Sequence, residues 1–195
     1  MSLRVAPMSR ADLAASLEDV ARLRIEVFRA FPYLYDGDLA YEARYLAPYL
    51  ESDGAVVVGA WDGDRLVGAA TGAPMEDHAG EFAAPFAARG FALSSIFYCA
   101  ESVLLPEYRG RGVGGAFFDH REAKARALGR RKSCFCAVIR PADHPARPPD
   151  YAPLDPFWRK RGYAPAAGLT AAFPWKDIGD DGETEKPMQF WMRDL

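Results

Sequence analysis

The sequence predicts a mixed α/β (α+β) fold, a single domain over residues 1–195 around a central sheet of about six to seven strands flanked by helices. Three observations carry this prediction. Apolar runs of strand character alternate with segments of helical period along the whole chain. No linker-like change of composition divides it. Half of its residues (50%) are apolar, enough for one sizeable core.

In order, "LRVAPM" (3–8) reads as a short strand, followed by Ser9 and Asp12 in capping-box spacing. Leu13, Leu17, Val20, Leu23, Val27 and Phe28 recur at helical intervals and predict a helix over 12–31. Pro32 and Gly37 break it, and "LAYEARYLAPYLES" (39–52) starts a second helix. Residues 55–74 read as a hairpin turning at "DGD". A helix is expected over 81–91, with Pro85 an obstacle to its continuity. "SIFYCAESVLL" (95–105) is apolar on both faces, as a central strand should be. A helix then carries Phe117, Phe118, Ala123 and Leu128, before a buried strand over 133–139 and a proline-rich loop over 140–156. A short helix in "DPFWRKRGY" (155–163) and two strands around 169–175 and 187–195 close the chain, with the acidic 177–186 stretch as their loop.

Composition narrows the function. A net charge of −3 with no isolated basic cluster excludes nucleic acid as a first partner. The N-terminus lacks a signal peptide's apolar segment, and no run reaches the roughly 18 apolar residues of a membrane span. Cys99, Cys134 and Cys136 lie in strand-like runs, which suits reduced thiols and a cytoplasmic setting. Cys134 and Cys136 are too closely spaced for a usual zinc pair, and His78, His120 and His144 are scattered, so no metal site is expected.

The chemistry concentrates in "LLPEYRGRGVGGAFFDH" (104–120). The helix that starts there exposes amides without intrahelical partners, and its dipole adds positive charge. Gly110, Gly112, Gly114 and Gly115 remove side chains that would hold a ligand off those amides. Arg109 and Arg111 can neutralise what the amides attract. Together with Val113 they suit a phosphate or pyrophosphate. The spacing Gly110-x-Gly112-x-x-Gly115 also fits a dinucleotide fingerprint, but the next strand ends in Ile139-Arg140 rather than an acid. A nicotinamide-dependent oxidoreductase therefore stays an outside alternative. No Gly-Lys-Ser/Thr supports a P-loop.

Arg109-x-x-Gly112-x-Gly114 after "LLPEY" resembles the pyrophosphate arm of the GNAT superfamily of acyl-CoA-dependent N-acyltransferases. "FWRKRGY" resembles that family's short helix ending in Lys-x-Gly-Phe, and the order of elements is similar. The resemblance implies splayed central strands with acetyl-CoA as co-substrate between them, and no metal. It implies main-chain bonds to pantetheine from Val103, Leu104 and Leu105, with an amide near Leu104 facing the thioester carbonyl. Where many members carry a tyrosine that protonates the departing thiolate, this chain has Trp158 at the coenzyme site. Tyr151 is the nearest alternative acid in sequence, or none is needed.

Glu101 is the candidate base, expected on one strand face with Phe97, Cys99, Val103 and Leu105, where burial would favour taking up a proton. Its competing role is to pair with an arginine such as Arg140. Tyr33 and Tyr35, in a tyrosine- and acid-rich segment that also holds Asp36, Asp38 and Glu42, are candidates for holding a cationic amine. The function expected is acetyl transfer to a primary amine of a small molecule in a ternary complex. An acyl-CoA-binding protein with little turnover comes second and a protein or peptide N-acetyltransferase third. A homodimer is compatible with the aromatic last strand.

Overall fold

The computed structural model describes residues 3–78 and 82–195. Its strands are β1 (Leu3–Pro7), β2 (Val56–Asp62), β3 (Arg65–Pro74), β4 (Ile96–Tyr98), β5 (Ser102–Leu104), β6 (Lys132–Val138), β7 (Ala164–Trp175) and β8 (Thr184–Asp194). The helices are α1 (Arg10–Ala15), α2 (Leu17–Phe28), α3 (Leu39–Glu51), α4 (Ala84–Ala87), α5 (Val113–Ala127) and α6 (Asp155–Lys160).

One sheet runs in the order β1-β2-β3-β4-β6-β8-β7, with β5 paired to β3. Neighbours are antiparallel except β4 and β6, which are parallel. Eight strands replace the expected six to seven because the 95–105 run is two strands. Ala73 stands opposite Tyr98 but Ala70 stands opposite Ser102, so the second chain carries one residue more than β3 between those pairs. That extra residue is a bulge at 99–101, and a one-residue slip exchanges the faces to which side chains point.

Before the bulge, Phe97 and Cys99 pack with Phe118, Phe135 and Tyr163. After it, Val103 and Leu105 pack with Val20, Leu23 and Leu46 of the N-terminal helices. Glu101 therefore shares its surroundings with Val103 and Leu105, not with Phe97 and Cys99.

The bulge also opens the sheet. β6 pairs with β4 only from Lys132 to Cys134, with a last bond from the Cys99 amide to the Cys134 carbonyl (2.8 Å). Beyond that point β6 is paired with β8 and β5 with β3, leaving a wedge between β5 and β6. The splay implied by the resemblance is present.

The helices differ in detail from the sequence reading. Ser9 and Asp12 form the expected capping box, but the 12–31 helix is two, divided at Ser16 and ending at Phe28. The helix expected over 81–91 shrinks to Ala84–Ala87, with Pro85 in its first turn, where the missing amide hydrogen costs nothing. Its expected first residue, Glu81, lies outside the described residues. Phe190 and Trp191 of β8 are buried in the core of the described chain.

Candidate active site

The glycine stretch becomes a turn of 3-10 helix (Pro106–Tyr108) and an uncapped entry to α5. Gly112 is the N-cap of α5 at φ +83°, a backbone region that side chains disfavour, and among the described residues no side chain bonds the first-turn amides. A Cβ added at Gly110 or Gly112 would meet, among the described residues, no atom within 4 Å beyond its chain neighbours. These glycines are therefore not packing devices, and open space lies in front of bare amides. Arg109 and Arg111 are exposed beside them. Arg109 reaches back to the Leu104 carbonyl at 3.5 Å, and Arg111 lies over the Tyr108 ring (5.3 Å), whose hydroxyl donates to Asp62. A Cβ added at Gly114 would lie 3.6 Å from Phe157, and one at Gly115 3.8 Å from Arg161, both ordinary contacts with the α6 region.

Main-chain polarity along β5 follows from its bonds. The Leu105 amide donates to Val67 and the Glu101 carbonyl accepts from Thr71, both at 3.0 Å. In an antiparallel ladder the polar groups alternate sides, so Val103 and Leu105 turn theirs to β3, as does the carbonyl of Glu101, while the Ala100 amide donates to the Thr71 carbonyl across the bulge. Ser102 and Leu104 turn theirs to the wedge. This corrects the expected set: Leu105 has its amide engaged within the sheet and Val103 faces the same way, whereas Leu104 is directed to the opening.

Glu101 sits at the end of the bulge, its side chain 8% exposed. It pairs with Arg24 of α2 and accepts a 2.7 Å bond from the Tyr45 hydroxyl of α3. The alternative partner expected, Arg140, is elsewhere: it makes a two-pronged pair with Asp177 and donates to the carbonyls of Pro32 and Tyr33. Arg24 also pairs with Glu42 of α3, whose other oxygen accepts from Tyr35 at 2.9 Å. Burial opposes the charge of Arg24, but Glu101, Tyr45 and Glu42 more than offset it and hold the guanidinium protonated. Burial first, and then the charge of Glu101, pushes the Tyr45 phenol well up, so it remains a donor.

The arrangement brings Tyr35 to the site through Glu42. Tyr33 is nearby but tied to the β7–β8 side, its carbonyl bonded by Arg140 and Trp175 and its ring 4.7 Å from Phe28. The row Tyr41, Tyr45, Tyr49, His78 and Tyr98 continues the aromatic wall, with successive ring centroids 5.0 to 6.4 Å apart. Burial lowers the His78 pKa, against the pull of Glu101 and Asp77. On β6, Cys136 lies 3.1 Å from the Tyr98 hydroxyl, and burial pushes its thiol up to about 12.

Trp158 packs against Phe135 of β6 (4.9 Å) and Trp191 of β8 (5.1 Å). Tyr151 belongs to a separate cluster, edge-on to Phe31 at 4.7 Å and under the Arg147 guanidinium.

Sequence reasoning missed Arg24 and Arg121; Glu42 was expected only as part of the segment holding a cationic amine, which also contains Tyr45. Arg121 of α5 is 1% exposed and donates to the carbonyls of Phe117, Thr71 and Glu101. The available signal was a charged residue on the apolar stripe of each helix. Among the described residues no cluster of three metal-ligating side chains occurs, and no helix is long and apolar enough to cross a membrane.

A model of the "Acetyltransferase (GNAT) family" matches residues 18–148. No curated protein matches the sequence. Solved structures of similar fold include a ribosomal-protein-alanine N-acetyltransferase from Brucella melitensis (17% identity, 100% of each chain covered, TM-score 0.62). Another is yncA from Salmonella typhimurium, assigned as an acetyltransferase and solved with its cofactor acetyl-CoA (12% identity, 100% of this chain and 95% of that one, TM-score 0.62). A third is the ribosomal-protein-S18-alanine N-acetyltransferase from Escherichia coli (11% identity, 100% and 94% covered, TM-score 0.58).

Proposed function

The chain belongs to the GNAT family of acetyltransferases, and from that premise we propose that it transfers an acetyl group from acetyl-CoA directly to a primary amine of a small molecule. The observation that carries this reading is the alignment of an uncapped helix start with a split in the sheet. The first holds a diphosphate, and the second admits the pantetheine toward Glu101.

In this reading the amides from Val113 to Gly115, with Gly110, Gly112, Arg109 and Arg111, seat the pyrophosphate. The wedge-facing amide of Leu104 donates to the thioester oxygen, and its bond strengthens as that oxygen gains charge. Loss of such a donor costs roughly 3 kcal/mol of barrier. Glu101 takes the proton of the acceptor ammonium, directly or through one water. The freed lone pair attacks the acetyl carbon, the C–N bond forms, and the C–S bond breaks to release CoA thiolate. Tyr33 and Tyr35 flank the acceptor, and Trp158 forms an apolar wall near the coenzyme.

The test is thiol release from acetyl-CoA against a panel of primary amines. Glu101→Gln should lower kcat by about 10²-fold or more while leaving the KM for acetyl-CoA unchanged. Unaltered turnover across pH would remove Glu101 from the mechanism. A second reading, acyl-CoA binding with little turnover, is favoured by Trp158 standing where a phenol would donate a proton. It predicts acetyl-CoA affinity without thiol release over the whole panel. A protein acceptor is the third, suggested by the names of two structural neighbours. Turnover with N-terminal alanyl peptides but not with small amines would select it.

A further inference from the structure

We propose that Glu42 is a positioning residue for Glu101, acting through the guanidinium that the two carboxylates share. This rests on the reading of Glu101 as proton acceptor. Glu42 is completely buried on α3. It takes one N–H from Arg24 and one O–H from Tyr35, and Glu101 takes one contact from Arg24 and one O–H from Tyr45. The two carboxylates thus have matching partners, and neither owns the cation.

That division matters for proton transfer. A carboxylate held by an undivided guanidinium is a poor proton acceptor, because the neighbouring charge stabilises its ionised form. A second carboxylate draws the same guanidinium away and adds a like charge, and both effects favour proton uptake. A cluster with no task beyond stability would serve as well or better as apolar side chains of similar volume. The fork geometry of arginine is what lets one side chain hold both acids in fixed orientation.

The other groups around Glu101 leave this balance in place. Burial keeps the phenols of Tyr33, Tyr45 and Tyr49 and the thiol of Cys136 protonated, and it keeps His78 neutral at neutral pH. From α5, Arg121 directs its hydrogens at main-chain carbonyls, that of Glu101 included. Among the described residues, Arg24 and Glu42 are thus the charged side chains in line with the carboxyl of Glu101.

The experiment compares wild type, Glu42→Gln and Glu42→Asp by two readouts. One is the pH profile of thiol release from acetyl-CoA with a primary alkylamine drawn from the panel. The other is the titration midpoint of the Glu101 side-chain carboxyl by carbon NMR, assigned with Glu101→Gln, which requires no acceptor. In Glu42→Gln the acidic limb and the midpoint should both move down by about one pH unit, with a several-fold lower plateau and an unchanged KM for acetyl-CoA. Glu42→Asp should stay close to wild type in both. An unmoved midpoint in folded Glu42→Gln overturns the proposal. Full turnover by Glu101→Gln would instead overturn the base reading alone, since the midpoint still reports the coupling. Should Glu42→Gln not fold, Arg24→Lys takes its place: a point charge cannot fork to both acids, so kcat should fall about tenfold at constant acetyl-CoA KM. An unchanged kcat there overturns the proposal.

Discussion

The main-chain carbonyl of Glu101 accepts a 3.0 Å bond from Nη1 of Arg121, while the carboxyl of the same residue is paired with Arg24. One guanidinium from α5 thus fixes the backbone of the bulge, and another from α2 fixes the side chain that the bulge presents. The same Nη1 also reaches the Thr71 carbonyl across the β3 junction (3.2 Å). Replacing Arg121 by alanine removes three charged hydrogen bonds and leaves a cavity beneath Phe97 and Gly72. Arg121→Ala should lower the unfolding free energy by about 3 kcal/mol, read from urea denaturation. Arg121→Lys should recover part of that loss, because a single ammonium still reaches one carbonyl.

Much of this architecture is written in local pattern. The capping box at Ser9, the turn at "DGD", the apolar period of α2 and the glycine entry to α5 each depend on residues a few positions apart. The bulge does not. "FYCAESVLL" is apolar on both sides, so a slip of one residue leaves no mark in its alternation, and the faces of Phe97 and Val103 could not be told apart beforehand. The partner of Glu101 was hidden for a different reason. Arg24 lies far from it in sequence, and an arginine within an amphipathic helix reads as solvated unless the neighbouring helix is known to bring a second acid, Glu42. Arg140 was the nearer guess by strand order, but Asp177, at the start of the acidic loop between the last two strands, claims it.

Gly112 separates ligand affinity from stability. Its φ of +83° disfavours any side chain, yet among the described residues a Cβ there would touch no atom within 4 Å beyond its chain neighbours. Gly112→Ala should therefore cost only about 1 kcal/mol of folding free energy, from backbone strain alone. Affinity for acetyl-CoA should fall by roughly tenfold or more, because the methyl group holds a phosphate off the α5 amides. Calorimetric titration with acetyl-CoA beside a thermal melt distinguishes the two effects. Equal affinity in the variant would remove the helix start from the coenzyme site.

His78 gives the fold a pH dependence with a definite sign. Desolvation depresses its pKa below the ordinary 6.5, against smaller opposing pulls from Glu101 and Asp77. Below about pH 6.5 the unfolded chain takes up a proton that the folded chain refuses. The associated stability is complete above that pH and is lost as pH falls toward the depressed value. Unfolding free energies measured between pH 7.5 and 5 should decline less steeply in His78→Phe than in wild type. Parallel curves for the two proteins would show that the imidazole is neutralised by other means.

Under the proposed transfer, variants at Trp158 test whether departure of the thiolate needs help. A thiolate whose conjugate acid has a pKa of about 8.5 leaves tolerably well without a proton. The indole here is held by Phe135 and Trp191 rather than by any polar contact among the described residues. If no acid is required, Trp158→Phe keeps most of the packing and should change kcat by less than about threefold. Trp158→Tyr then brings no gain, since the added hydroxyl has nothing to accelerate. A rise in kcat with Trp158→Tyr, absent in Trp158→Phe, would mean that proton delivery to sulfur limits the natural sequence. The pair of variants compared at saturating acetyl-CoA, with thiol release followed directly, tells these cases apart.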